Sequence, residues 1–98
     1  MSAHGDVRNN EGESRYELAL EDGLAFATYD RREGALVFTH TIVPPEMEGK
    51  GVGSRLIQGA LADVRRQGLR IVPLCSFVAA YVERHPEDQD LLASEAPG

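Results

Sequence analysis

The sequence predicts a single α+β domain in which antiparallel strands come first and a strand–helix–strand–helix passage follows. Three observations carry this expectation. Apolar residues alternate in SRYELAL, and LAFATYD and ALVFTHTIV continue the pattern of half-buried strands. From residue 51 onward the period lengthens to that of one helical face. Between the two regimes stands VPPEMEGKGVGSRL, residues 43–56, with two prolines and three glycines at alternate positions.

Residues 1–13 are polar and aperiodic, and are expected as a flexible tail ahead of a domain over 14–92. SRYELAL places Tyr16, Leu18 and Leu20 on one face of a first strand. Glu21-Asp22-Gly23 is a turn signal, and LAFATYD returns as the second strand of a hairpin. DRREG turns the chain again into ALVFTHTIV, a strand rich in β-branched and aromatic residues. Pro44-Pro45 stops it, because proline donates no ladder hydrogen bond. Val52, Leu56, Ile57, Ala60, Leu61 and Val64 then fall on one helical stripe, with Gly68 placed as the left-handed cap at its end. RIVPLCSF reads as a short buried strand. A second helix starts near Ser76 and is interrupted by Pro86; DQDLL adds a further turn before the small, polar tail of residues 93–98. Ligands of such sheets sit outside the carboxyl ends of the strands, where the chain enters a helix. The glycines stand at that point.

At 98 residues, 42% hydrophobic and 27% charged, the chain has the composition of an ordinary globular domain. No apolar run approaches the ~20 residues of a membrane span, and MSAHGDVRNNEGE holds no apolar signal core, so the cytoplasm is the expected compartment. A lone Cys75 makes no internal disulfide, which agrees with a reducing compartment. The net charge of −6 argues against non-specific binding to nucleic acid or anionic membranes and leaves room for a cationic partner such as an amine. Three scattered histidines and one cysteine show no metal-ligand spacing. A monomer or weak homodimer is expected.

A backbone without side chains lets successive N–H groups converge on an anion, and the following helix adds the positive end of its dipole. Phosphate is the natural occupant; the plainer alternative is a tight turn that needs glycine at positive φ. Two familiar phosphate motifs are excluded by position. A Walker A loop needs glycine where Pro44 stands and Ser or Thr where Gly51 stands. The dinucleotide fingerprint fails at Ser54, which should be glycine.

The remaining pattern resembles motif A of the GNAT superfamily of acetyl-CoA-dependent N-acetyltransferases, an (Arg or Gln)-x-x-Gly-x-(Gly or Ala) loop entering a helix. Glu48-Gly49-Lys50-Gly51-Val52-Gly53 matches it at Gly51 and Gly53 and departs from it at Glu48. TIVPP supplies the strand and proline that precede the loop. IVPLCSFVAAYVERHPEDQDLL is similar to the minimal, single-domain YjdJ-type branch, and the resemblance covers roughly Tyr16 to Leu92. It implies a mixed GNAT-like sheet and coenzyme A as the carrier of the acetyl group. It also implies that Val43 meets the pantetheine between two splaying strands, and that Lys50, Gly51, Val52, Gly53 and Ser54 surround the pyrophosphate. Glu48 must then point away or pair with Arg55 or Lys50, since a carboxylate repels phosphate. Pro73 suits the splay, because a strand parting from its neighbour loses little by lacking an N–H.

Three residues are candidates for chemistry. Cys75 ends the strand after the helix; it is either a small buried hydrophobe or, activated by the next helix N-terminus, an acyl acceptor. Tyr81 is either an aromatic packed on the sheet or, as the resemblance implies, the acid that protonates the departing thiolate. His40 is expected on one strand face with Leu36, Phe38 and Ile42, either as a hydrogen-bonded core residue or as the base that deprotonates an ammonium. His85 complements a helix C-terminus, and His4 lies in the tail. Arg31-Arg32 and Arg65-Arg66 read as solvated faces, either of which could touch the 3′-phosphate of coenzyme A. The expected function is acetyl transfer from acetyl-CoA to an amine, on a small molecule or a protein lysine. The alternatives are a non-catalytic acyl-CoA binding module and a protein-interaction domain whose glycines serve folding alone.

Overall fold

The computed structural model describes residues 7–21 and 23–93. Its strands are β1 (Val7–Asn10), β2 (Arg15–Leu20), β3 (Gly23–Arg32), β4 (Ala35–Ile42) and β5 (Arg70–Pro73), and its helices are α1 (Val52–Arg66) and α2 (Ser76–Arg84). They form one sheet in the order β1-β2-β3-β4-β5. β1 to β4 pair antiparallel with their neighbours, and β5 joins β4 in parallel, with α1 in the connection. This is the α+β arrangement the periods predicted.

α1 buries the stripe read from the sequence: Val52, Leu56, Ile57, Ala60, Leu61 and Val64 are all within the core. Each such burial contributes roughly 1.5–3 kcal/mol for the larger side chains. The facing sheet surface supplies Tyr16, Leu18, Ala25, Ala27, Leu36, Phe38 and Ile71. Tyr16, Tyr29 and Phe38 group their rings at centroid separations of 5.5–6.1 Å. Tyr16 completes the contact by donating to Asp63 Oδ2 of α1 at 2.7 Å. Gly68 caps the helix at φ 72°, its N–H donating to Arg65 O.

Part of the expected N-terminal tail is ordered. Residues 7–10 form β1, paired in register from Val7 with Leu18 to Asn10 with Arg15. Its polar sequence VRNN hid this, because its anchoring is non-local. Tyr29 donates to Asn9 Oδ1 at 2.5 Å, Asn10 donates to Glu17, and Val7 packs so closely on Gly59 of α1 that a Cβ there would come within 2.5 Å of it. Residues 1–6 and 94–98 of the expected tails, His4 among them, lie outside the described residues, as does Asp22 of the expected turn. At the other end, Leu92 bridges to Ile71 and Ala93 N–H donates to Ile71 O at 2.8 Å. The last described residues therefore line the free edge of β5. No described helix is long and apolar enough to cross a membrane.

A β-bulge in β4 decides what faces the site. Phe38 pairs with Tyr29, but His40 pairs with Thr28, so Thr39 is the extra residue. Directly opposed residues share a face, and the bulge therefore reverses the alternation. Leu36 and Phe38 face α1, whereas His40 and Ile42 turn with Thr28 and Phe26 to the outer face and are exposed. The expectation that His40 shares the face of Leu36 and Phe38 is corrected here. Its cause is one inserted residue that strict period-2 reading does not register. Thr41, paired with the buried Ala27, takes the inner face instead.

Candidate active site

After β4 the chain makes a short 3-10 turn at Pro45–Met47 whose buried Met47 anchors the loop to the core. Gly49 and Gly51 follow at φ 81° and 74°. A Cβ at either would meet nothing within 4 Å, so the left-handed backbone, not crowding, demands glycine. Gly51 is the N-cap of α1, and the first helical bond runs from Arg55 N–H to Gly51 O at 3.0 Å. The amides of Val52, Gly53 and Ser54 precede it; among the described residues they donate to no backbone carbonyl, and they stand at the positive end of the helix dipole. These are the conditions of an anion site.

Gly53 is glycine for another reason. Its backbone is ordinary helix, but a Cβ would lie 2.6 Å from Cζ of Phe77, whose ring rests on the first turn of α1. What approaches this backbone so closely is the protein's own side chain.

A cavity of about 370 Å³ opens over the loop, lined by Thr41, Val43, Met47, Glu48, Gly49, Gly51, Val52, Gly53, Ser54 and Phe77. It gathers Val43, Gly51, Val52, Gly53 and Ser54 of the expected cofactor set; Lys50, exposed on the same loop, is not among its lining residues. Glu48 lines the same cavity.

Beside the cavity two strands part. Pro73 is the last residue of β5 in register with β4, opposite Phe38. Phe38 O then accepts from both Leu74 N–H and Cys75 N–H at 3.0 Å, and the chain turns into α2 while β4 runs on to Ile42. Cys75 is the buried N-cap residue of α2. Its Sγ lies 3.3 Å from Oγ1 of Thr41, which ties the thiol to the cavity wall. His40, on the other side of β4, borders the same split from the outer face.

Tyr81 lines a neighbouring cavity of about 460 Å³ between α1 and α2, together with Arg55, Gln58, Arg65, His85 and Asp88; Ser54 lines both cavities. Burial first, then the carboxylates of Asp88 and Glu87, raise the Tyr81 phenol above its ordinary pKa. It therefore stays protonated at neutral pH. Its ring stacks on His85 with centroids 3.9 Å apart, and His85 Nδ1 donates to Tyr81 O at 2.7 Å, capping the helix end as the sequence suggested. Arg65 is not a simply solvated cation: it holds the C-terminal 3-10 turn through Asp88, Asp90 and the carbonyl of Glu87. Among the described residues no group of three or more His, Cys, Asp or Glu side chains could hold a metal.

Thr41, Met47 and Phe77 were not singled out from the sequence. Thr41 alternates with Val43 in HTIVP, which was a usable signal. Phe77 carried none, because its role rests on a contact between α1 and α2.

A family model described as GCN5-related N-acetyl-transferase matches residues 15–91. The solution structure of a Staphylococcus aureus protein described as a "GCN5-like putative N-acetyltransferase" superposes with a TM-score of 0.69 at 27% identity, covering 96% of this chain and 92% of the other. No curated protein matches the sequence.

Proposed function

Since the chain belongs to the GCN5-related N-acetyl-transferase family, we propose that it transfers an acetyl group from acetyl-CoA to an amine, with the cavity over the glycine loop as the donor site. The observation that carries this reading is the joining, in one cavity, of the first-turn amides of α1 to Thr41 and through it to Cys75. The pyrophosphate would accept from the amides around Gly51–Ser54. The pantetheine would run past Val43 toward the split, where a strand amide polarises the thioester carbonyl.

Two routes complete the transfer. In the direct one, the amine attacks the thioester carbonyl after losing a proton, and the C–S bond to coenzyme A breaks. His40 borders the split from the outer face and is the candidate base for an acceptor arriving there. In the relayed route, the Cys75 thiol gives up its proton as its sulfur attacks the thioester carbonyl, and the C–S bond to coenzyme A breaks. The deprotonated amine then attacks the acetyl-cysteine, whose C–S bond breaks, and the cysteine sulfur takes back a proton. In both, the leaving thiolate takes a proton; the protonated phenol of Tyr81 is the candidate donor for a thiolate leaving toward the neighbouring cavity, which shares Ser54 with the donor cavity.

Intact-mass spectrometry after incubation with acetyl-CoA tests the relay. A gain of one acetyl group in the wild type, absent in Cys75→Ala, supports it; transfer to an amine that survives Cys75→Ala selects direct attack. Tyr81→Phe should lower kcat more than it changes KM if the phenol acts as the acid. A second reading, a non-catalytic acyl-CoA binding module, is favoured by the absence of any described helix packed on the outer sheet face, which leaves few walls for an acceptor. It predicts a cofactor-induced rise in Tm with no acetyl transfer to any amine offered.

A further inference from the structure

Phe77 is an odd use of an aromatic residue. It is 39% exposed, and yet its ring fills the space a Cβ at Gly53 would need, with contacts of 2.6–3.2 Å. Glycine in the body of a helix weakens it relative to alanine, and a half-exposed ring recovers only part of its burial. As core packing the pair is poor. What it secures is the placement of a flat apolar wall against the first turn of α1, in the cavity it lines with Thr41 of β4 and Val43 just beyond that strand.

The other walls of the cavity are the glycine loop, the core-rooted side chains of Met47 and Val52, the half-buried Thr41 and Val43, and the exposed polar side chains of Glu48 and Ser54. Among the large apolar side chains of the lining, Phe77 is the exposed one, so trimming it leaves the core closed. It also follows Cys75 by two residues in the first turn of α2, so the residue spans from the backbone beside the thiol to Gly53, where its ring is seated, and lines the cavity between them.

We propose that Phe77, seated on Gly53, is the specificity residue of the donor site: its ring confines the cavity to a slender thioester arm bearing a short acyl group. This rests on the assignment of the cavity to coenzyme A. A longer, flexible acyl chain would have to displace a ring held on one side by the α1 backbone and on the other by α2. A small side chain at Phe77 would open that space and line it with apolar surface. Gly53 and Phe77 then act as a pair, since any Cβ at residue 53 pushes the ring into the cavity.

The test is thermal shift and equilibrium binding of the full chain with free coenzyme A, acetyl-, butyryl- and hexanoyl-CoA. The proteins are wild type, Phe77→Ala, Phe77→Leu, Gly53→Ala and the double variant Gly53→Ala/Phe77→Ala. Wild type should respond to coenzyme A and acetyl-CoA and bind hexanoyl-CoA at least about tenfold more weakly than acetyl-CoA, the scale of a few misfitted methylenes. Phe77→Ala should keep the coenzyme A response and lose that discrimination, with Phe77→Leu between. Gly53→Ala should weaken all four ligands, and adding Phe77→Ala should restore them. The same chain-length ordering in wild type and Phe77→Ala overturns the proposal while leaving the donor site intact. Wild type that binds all lengths equally also overturns it, and no response to any coenzyme A species removes both the donor site and the inference.

Discussion

Thr41 Oγ1 and Cys75 Sγ meet at 3.3 Å across the split where β4 and β5 part. The contact joins an edge of the sheet to the N-cap of α2, and it exists only because the bulge at Thr39 turns Thr41 inward. Replacing the hydroxyl by a methyl in Thr41→Val keeps the β-branched shape and removes the hydrogen bond. Acetylation of Cys75 by acetyl-CoA, followed by intact mass, should slow by roughly three- to tenfold, the worth of one modest hydrogen bond. The Tm response to coenzyme A should be unchanged, and Thr41→Ser should restore most of the rate. Equal rates in wild type and Thr41→Val would show that the hydroxyl does nothing for the thiol.

Gly51 holds the turn into α1 at φ 74° with open space around it. Gly51→Val therefore strains the backbone without any clash, at a cost of about 1–2 kcal/mol. Gly51→Asn, a residue that tolerates the left-handed region, should cost less. Urea unfolding measures both, and the coenzyme A response should fall with the first far more than with the second.

Glu48 brings a carboxylate to the lining of a cavity assigned to a diphosphate. Neutralising it in Glu48→Gln should tighten coenzyme A binding severalfold, with the gain shrinking as salt is added, because like charges at such range repel and screening removes the repulsion. Titration calorimetry at low and high ionic strength checks this. An unchanged affinity would place the carboxylate away from the phosphates.

Glu17 accepts from Arg15 Nε at 2.7 Å and from Asn10 Nδ2 at 2.9 Å, and these bonds hold its carboxyl below the usual value. A carboxyl depressed by folding stabilises the fold above its unfolded pKa, and that contribution is lost as pH falls through the lower folded value. The loss therefore begins below about pH 4.3. Glu17→Gln should lower Tm at neutral pH and flatten the acid limb of a Tm–pH profile. Parallel limbs in the two proteins would show that Glu17 is not linked to acid unfolding.

Tyr16 has the opposite sign. Burial first, and then its bond to Asp63, raise its phenol far above the ordinary value. Folding favours the protonated form, so this contribution is complete below about pH 10, the unfolded value, and is lost as pH rises beyond it. Tyr16→Phe should cost about 1 kcal/mol at neutral pH and show a shallower alkaline decline in Tm than the wild type.

The strands from Arg15 to Ile42, the stripe of α1, the start of α2 at Ser76 and the break at Pro86 were legible because each depends on period, composition or a proline within a few residues. β1 was not legible. Its polar residues are held by partners on β2, β3 and α1 that lie far along the chain. The site divides in the same way. Gly49 and Gly51 announce themselves as backbone requirements, whereas Gly53 looks like a third member of that set and serves Phe77 instead.

By itself, the amino-acid order determined the strands from β2 onward and the two helices, that a left-handed glycine turn feeds the first turn of α1, and which family pattern that turn resembles. These depend on local backbone preference and on burying one face of each element. The tertiary structure alone decided that Thr41 and not His40 meets Cys75, that Phe77 walls the cavity, and that Tyr81 opens on a neighbouring one. Each of these follows from a single inserted residue in a ladder or a contact between distant elements, where side-chain direction and not residue type selects the outcome.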